Sequence, residues 1–140
     1  MSLDSPAVFS KNFIVPREAI DGNGHVNNVF YVQWMQDLAV EHYASLGGMD
    51  VSRASGTTWV VHSHKVVYHH PAFEGEKITG STWVVNMRRV RSLRRYRFTR
   101  DSDGLVLVSG ETDWVFVDTK SGQLKAIPLE ISGLFKLMDE

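Results

Sequence analysis

The densest group of polar side chains in this 140-residue chain is segment 21–28, Asp-Gly-Asn-Gly-His-Val-Asn-Asn. Asp21 offers a carboxylate that could act as base or nucleophile, while the Asn23 amide and the His25 imidazole could orient water or a substrate. The glycines indicate a turn, and the closing asparagines are good N-cap residues, so the turn should run into a helix. First-turn N–H groups lack helical partners and could polarise a carbonyl oxygen. The segment therefore predicts either a hydrolytic site or a simple capping turn.

A second feature is a block of arginines between residues 88 and 100, a segment without an acidic side chain. It holds seven of the nine arginines in the chain, namely Arg88, Arg89, Arg91, Arg94, Arg95, Arg97 and Arg100. Guanidinium groups suit bidentate contacts with phosphate, although a charged sheet edge in solvent would show the same pattern. The net charge of −1 hides this block, because 5 basic and 8 acidic residues precede it and 3 basic and 8 acidic residues follow it. This distribution favours a small polyanionic ligand.

The arginine block also allows a sheet that binds nucleic acid, with Tyr96 and Phe98 as stacking residues. These aromatic residues alternate with Arg95 and Arg97, so in a strand the rings and those charges point to opposite faces. No recognised RNA-binding motif accompanies them. Tyr96 and Phe98 are therefore expected in the core, and no nucleic-acid partner is predicted.

Two further sets of titratable side chains are weaker candidates. Asp37 and Glu41 flank the polar side of the predicted helix, where an ordinary solvated face is the simpler interpretation; they are the second choice for a catalytic carboxylate. His62 and His64 lie two apart on a predicted strand, so they should share a face and could bind zinc. No third ligand is evident, so packing is the preferred interpretation and no metal site is predicted.

The elements that must position these residues follow from hydrophobic patterning. We predict a strand over 7–15, a helix over 29–46 stopped by two glycines, four strands over 57–69, 77–89, 93–100 and 105–117, and a short helix within 128–138. The helix presents one apolar stripe, Tyr31, Trp34, Met35, Leu38, Ala39, His42 and Leu46, in which His42 is expected to be packed and hydrogen-bonded. The connections between the later strands are too short for parallel crossovers. The pattern therefore predicts an α+β domain with an antiparallel sheet covered by the helix.

Length and composition indicate the number of domains and exclude several kinds of site. The 140 residues suit a single domain over 1–140, and the absence of cysteine excludes disulfides, thiolate metal sites and a cysteine nucleophile. No apolar run approaches the roughly 20 residues of a membrane span, and the first residues do not resemble a secretory signal. We expect a cytoplasmic protein without a membrane partner.

The pattern Asp21-x-x-Gly24-His25-Val26-Asn27-Asn28-x-x-Tyr31-x-x-Trp34 resembles the signature of the hotdog-fold thioesterases. The similarity is to the branch of 4-hydroxybenzoyl-CoA thioesterase and the short-chain acyl-CoA thioester hydrolases. The segment 68–76, Tyr-His-His-Pro-Ala-Phe-Glu-Gly-Glu, resembles the strand exit of the same family. The resemblance implies a hotdog fold, an antiparallel sheet of about five strands wrapped around one long central helix. It also implies an acyl-CoA thioesterase that releases a free acid and CoA.

The resemblance assigns roles to individual residues. Asp21 falls on the catalytic carboxylate, and Asn28 falls where the family uses a backbone N–H to polarise the thioester carbonyl. The Asp-x-Asn-x-His pattern of the related acyl-ACP thioesterases implies helper roles for Asn23 and His25. Ala19 departs from the family, which often carries a second acid there. Whether Asp21 acts as nucleophile or general base stays open.

Substrate-binding roles are expected for residues in three places. Tyr31 belongs to the signature, His69 and His70 lie at the strand exit where they could line a groove, and Arg88, Arg89 and Arg91 could contact CoA phosphates. The resemblance implies no metal or redox cofactor, since coenzyme A is part of the substrate. It further implies a homodimer or homotetramer with each site built across a subunit interface.

Three other functions are compatible with the same fold. The carrier could be acyl carrier protein in place of CoA, and the chain could be a non-catalytic acyl-binding module. A hotdog hydratase or dehydratase would pair a histidine with a helix carboxylate, for which His25 and Glu41 are the available residues.

Overall fold

The computed structural model describes residue 3 and residues 5–139 of the chain. These residues form five β-strands, three α-helices and one turn of 3-10 helix at Arg17–Ala19. In chain order the elements are β1 (Phe9–Ile14), α1 (Asn28–Ser45), α2 (Gly48–Ser55), β2 (Thr57–Tyr68), β3 (Lys77–Val84), β4 (Arg91–Arg100), β5 (Val106–Asp118) and α3 (Leu129–Ser132).

The five strands form one sheet in the order β1-β3-β4-β5-β2, and every neighbouring pair is antiparallel. The prediction of an antiparallel α+β domain is confirmed. Strand β2 forms one edge of the sheet, and its register against β5 shifts between Val61 and Ser63. His62 is the extra residue of this bulge, so the regular alternation that predicted a common face for His62 and His64 is interrupted there.

Helix α1 begins at a side-chain cap, because the Asn27 amide oxygen accepts a hydrogen bond from the Val29 N–H at 3.1 Å. It ends where Gly47 adopts a φ of 82°, a conformation that favours glycine. The predicted stripe faces the sheet, with Met35 and Leu38 at most 3% exposed. Close approach of helix and sheet depends on Gly80 in β3, where an added Cβ would lie 2.9 Å from Leu38 Cδ1.

The helical layer differs from the prediction of one long central helix. The described residues contain helices of 18, 8 and 4 residues, and α2 was not predicted. Strand β3 also ends at Val84 and not at Arg89, and residues 85–90 form the loop that leads into β4. Asn86 closes this loop by accepting from the Leu93 N–H and the Ser92 hydroxyl at 3.1 and 2.8 Å. None of the helices in the described part of the chain has the length and apolarity needed to cross a membrane.

The core lies between α1 and the sheet. Tyr96 and Phe98 are 1% and 0% exposed and belong to this core, as predicted from their alternation with arginines. A smaller apolar cluster joins the C-terminal part of α1 to the last segment of the chain through Tyr43, Phe116 and Ile131. Because the strand aromatics are buried beneath the helix, the sheet does not offer them for base stacking.

Candidate active site

The turn that carries Asp21 is closed by its own hydrogen bonds. The Asp21 N–H donates to the His25 carbonyl at 3.0 Å, and the Gly24 N–H donates to the Asp21 carbonyl at 3.1 Å. Oδ1 of Asp21 accepts the Asn23 N–H at 2.8 Å, and Gly24 has a φ of 83°. This geometry leaves Oδ2 of the half-exposed Asp21 carboxylate without a hydrogen-bond donor among the described residues.

The helix start next to this turn presents one free backbone donor. The Asn27 N–H is used by the Ala19 carbonyl at 2.8 Å, the Val29 N–H by the Asn27 side chain, and the Phe30 N–H by the Asn27 carbonyl at 3.0 Å. In the described part of the chain no acceptor takes the Asn28 N–H. This group lies at the positive end of α1 and can therefore donate to a ligand oxygen.

The exit of β2 holds this helix start in place. The Tyr68 hydroxyl donates to the Asn28 carbonyl at 3.1 Å, and the Val26 N–H donates to the Ala72 carbonyl at 2.9 Å. Tyr68 and Ala72 both belong to the strand-exit segment singled out in the sequence. The two motifs are therefore in direct contact. The positioning role of Tyr68 was not predicted, because no sequence pattern shows which carbonyl its hydroxyl reaches.

Asn23 and His25, for which the sequence predicted supporting roles, lie in the same turn as Asp21. His25 is half-buried, and its Nδ1 lies 3.3 Å from the carbonyl oxygen of Val26. Asn23 is exposed, and its backbone N–H rather than its side chain contacts Asp21. The turn that holds them leads directly into the helix start at Asn28; among the described residues neither of their side chains contacts the Asp21 carboxylate.

The predicted substrate-binding residues at this end of the molecule differ in exposure. His69 and His70 are exposed; His69 contacts the Ser109 hydroxyl through Nε2 at 3.1 Å. Tyr31 is only 2% exposed and packs edge-on against Trp34, and its buried hydroxyl has no partner among the described residues. Burial, then the nearby Glu76 and Tyr68, raise the pKa of Tyr31 to about 12. Tyr31 is thus a neutral core residue directly behind the helix start.

The predicted phosphate-binding arginines lie at the other end of the sheet. Arg88 and Arg89 are exposed in the loop between β3 and β4, and Arg91 pairs with Asp113 at 2.8 Å. The Asp21 turn is instead near the start of β3, where Val15 pairs with Gly75 and Glu76. The eight residues of β3 span about 23 Å between these ends. Within one chain the structure does not bring the arginine loop to Asp21.

The arginine block is not one continuous cationic surface. Three of its members pair with carboxylates, Arg91 with Asp113, Arg95 with Glu111 at 3.6 Å, and Arg100 with Glu76 and Asp103 at 3.4 and 2.7 Å. Arg97 lies over the Trp83 ring at 5.8 Å. Arg94 is 4% exposed and points into the protein. Arg88 and Arg89 therefore carry the exposed guanidinium groups that remain unpaired among the described side chains.

The weaker candidates have structural partners. Asp37 accepts from Gln33 at 2.9 Å, and Glu41 pairs with Lys11 at 2.9 Å. Glu41 lies 13 residues beyond Asn28, about 20 Å along α1, so it cannot act together with His25 in the same chain. His64 contacts the Thr112 hydroxyl at 2.7 Å and the Gln36 amide at 3.3 Å, and burial lowers its pKa. No cluster of three or more metal-ligating side chains occurs in the residues that the structure describes.

Comparison with known proteins identifies a protein family and several solved structures that this chain resembles. The model of the thioesterase-like superfamily matches residues 15–135. Searches of curated proteins returned no significant match. A hypothetical protein from Staphylococcus aureus, solved in complex with CoA, is 18% identical over 91% of this chain and 80% of its own, with a TM-score of 0.84. A 1,4-dihydroxy-2-naphthoyl-CoA thioesterase from Synechocystis is 14% identical over 91% and 94%, with a TM-score of 0.81. A probable thioesterase from Escherichia coli is 18% identical over 89% and 94%, with a TM-score of 0.79.

Proposed function

The chain belongs to the thioesterase-like superfamily and is, as a member of it, a thioester hydrolase; from this premise we propose that its substrate is an acyl-CoA. The proposal rests on one observation: the turn that carries a free carboxylate oxygen of Asp21 leads directly into a helix N-terminus with an unpaired N–H at Asn28. These are the two groups that thioester hydrolysis requires, one to attack or to activate water and one to stabilise the oxyanion.

In the proposed mechanism the thioester carbonyl oxygen accepts the Asn28 N–H, which makes the carbonyl carbon more electrophilic. Asp21 then either attacks this carbon or takes a proton from a water molecule that attacks it. The tetrahedral intermediate collapses as the carbon–sulfur bond breaks, and the CoA thiolate leaves and is protonated. In the nucleophilic route water then cleaves the Asp21 anhydride, so both routes end with a free acid and CoA.

Coenzyme A as the carrier is supported by the exposed guanidinium groups of Arg88 and Arg89, which suit its phosphates. The fold neighbour from Staphylococcus aureus was solved in complex with CoA. Because these arginines and the Asp21 turn of the same chain lie at opposite ends of β3, a strand about 23 Å long, the proposed site combines the Asp21 of one subunit with the arginine loop of another.

A homodimer, alone or as half of a tetramer, would provide that combination. Strand β2 is an edge strand with exposed apolar side chains, including Val60 at 43% and Val67 at 43%. The first residues of β2 lie at the same end of the sheet as Arg91, because Val60 and Arg91 both pair with Val115. The last residue of β2, Tyr68, lies at the other end, where its hydroxyl contacts Asn28. Antiparallel pairing of β2 with its copy would bring the Asp21 end of one subunit to the arginine end of the other.

Thiol release from a panel of short, long and aromatic acyl-CoAs tests the proposal, with matching acyl-ACPs and crotonyl-CoA hydration as comparisons. Asp21→Asn keeps the size and the Asn23 contact but removes the charge, and we expect a loss of about 10³-fold or more in kcat. Glu18→Gln is the matched control, because it neutralises an exposed carboxylate three residues away in the 3-10 helix. Wild-type activity in a folded Asp21→Asn variant would remove Asp21 from both proposed roles.

A further inference from the structure

A cavity of about 350 Å³ lies at the C-terminal half of α1, between α1, α2, the start of β2 and the last segment of the chain. Its walls are mainly apolar and include Val40, Met49, Trp59, Val84, Trp114 and Phe135. A volume of this size is typical of sites that enclose a small organic molecule. None of the residues assigned above to catalysis or to CoA lines this cavity.

One charged side chain in the cavity wall is deeply buried. Arg94 is only 4% exposed and projects from β4 on the same face as Tyr96 and Phe98. Burial lowers the pKa of Arg94 to about 10, so the guanidinium group is still a cation at neutral pH. A buried charge without a counter-ion is energetically costly.

The contacts of Arg94 do not include an anion. Its Nη1 donates to Nδ1 of His42 at 2.9 Å and to the Thr82 hydroxyl at 3.1 Å, and the guanidinium lies 5.8 Å from the Phe135 ring centre. Among the described residues no carboxylate forms an ion pair with Arg94, and both of its hydrogen bonds use Nη1, so Nε and Nη2 have no acceptor. Nε and Nη2 form the parallel pair of donors that a carboxylate accepts in bidentate fashion.

From these contacts we propose that the cavity binds an apolar carboxylic acid as its anion, with the carboxylate on Nε and Nη2 of Arg94 and the apolar body against Trp59 and Trp114. The other charged residue of the lining, Arg53, is exposed and already pairs with Asp50 at 3.2 Å, so Arg94 is the one buried, unneutralised cation among the lining residues. One such cation within mainly apolar walls matches a monoanion with an apolar body better than a doubly charged phosphate, which would stay partly unneutralised. The cavity residues 39–43 lie 11–15 residues beyond Asn28, about 17–22 Å along α1. Asp21 of the same chain therefore does not reach this cavity. In the proposed homodimer the Asp21 end of the partner subunit lies at this end of the sheet, so a role of the acid as reaction product rests on the proposed function, whereas binding of the acid itself does not.

Titration of the whole chain with octanoate and benzoate, each compared with its neutral amide, tests this proposal without any thioester present. Calorimetry gives the affinity, and fluorescence of the tryptophans in the wall provides an independent signal. We expect each carboxylate to bind at least about tenfold more tightly than its amide, because only the anion pairs with the buried guanidinium. Equal affinity for acid and amide, or no binding of either acid at millimolar concentration, would overturn the proposal.

Three variants locate the bound acid. Arg94→Met should lose the preference for the acid, whereas Arg95→Met, one residue away on the opposite face of β4, should retain it. Since Arg94→Met could also disturb folding, Val40→Trp provides a second test that leaves Arg94 intact. Val40 is half exposed at the cavity wall, so the larger side chain should block entry without overpacking the core. Unchanged affinity in a folded Val40→Trp variant would place the acid elsewhere.

Discussion

The guanidinium of Arg94 donates a 2.9 Å hydrogen bond to Nδ1 of His42, so a buried cation is held by a neutral imidazole. The bond requires an unprotonated Nδ1, which places the ring proton of His42 on Nε2. Phe9 stacks on the imidazole at 5.3 Å and Phe135 contacts its edge at 5.7 Å. Burial, and secondarily the positive charge of Arg94, lower the pKa of His42 from 6.5 to about 4.

This pKa makes folding stability depend on pH. In the unfolded chain His42 binds a proton near its ordinary pKa of 6.5, whereas the folded protein resists protonation down to about 4. The unfolded state therefore binds more protons between these values, and stability is lost as the pH falls through that range, by about 2 kcal/mol at pH 5. Urea unfolding of the wild type and His42→Gln at pH 8 and pH 5 measures this loss. An equal loss in the two proteins would show that His42 is not its source.

The Asn28 N–H can be deleted without removing the helix. Asn28 is the first residue of α1, where proline is favoured, and Asn27 has φ −64° and ψ 129°, which a following proline accepts. We expect Asn28→Pro to lower kcat by about 10²–10³-fold, because it removes the proposed oxyanion donor while the fold persists. Asn28→Ala, which retains the N–H, is the matched control and should stay close to wild type. Similar kcat values for the two variants would exclude the backbone donor.

The close approach of α1 to the sheet can be tested at Gly80. An added Cβ would lie 2.9 Å from Leu38 Cδ1 and 3.1 Å from Phe98 Cε1, both in the buried core. We expect Gly80→Ala to destabilise the protein by about 1–3 kcal/mol through overpacking. Chemical denaturation measures the change, and Gly22→Ala, whose Cβ would have no neighbour within 4 Å, serves as control. Unaltered stability of Gly80→Ala would mean that the helix can shift freely on β3.

The exposed arginines should act on the carrier and not on the acyl group. We expect the double variant Arg88→Ala/Arg89→Ala to raise KM for acyl-CoA several-fold while leaving KM for the corresponding N-acetylcysteamine thioester unchanged, because that substrate lacks phosphates. Raising the salt concentration should reduce the difference in KM for acyl-CoA between the wild type and the double variant, because salt screens the charges. Equal changes in KM for both substrates would assign these arginines a structural role.

A site shared between subunits can be recognised by complementation. Mixing Asp21→Asn with Arg88→Ala/Arg89→Ala under conditions that allow subunit exchange forms dimers in which one site has an intact Asp21 and an intact arginine loop. At low acyl-CoA concentration we expect the mixture to reach roughly a quarter of wild-type activity, since half the dimers are mixed and each holds one intact site. Activity equal to the mean of the separate variants would argue against a shared site.

The sequence by itself determined the features that depend on neighbouring residues. The glycine turn and the asparagine cap predicted the helix start beside Asp21, since turn and cap preferences act over a few residues. Alternation along β4 correctly placed Tyr96 and Phe98 in the core. The apolar stripe of α1 correctly predicted a packed and hydrogen-bonded His42, which is 7% exposed.

Tertiary structure alone decided which distant groups meet. The same alternation that buries Tyr96 also buries Arg94, yet its partners His42 and Thr82 come from elements 52 and 12 residues away. The run of arginines did not indicate that Arg94 would line a cavity, nor that Arg88 and Arg89 would lie at the opposite end of β3 from the Asp21 turn. Such distances depend on strand order, register and the bulge at His62, which are determined by packing of the whole sheet against α1 and not by local residue preferences.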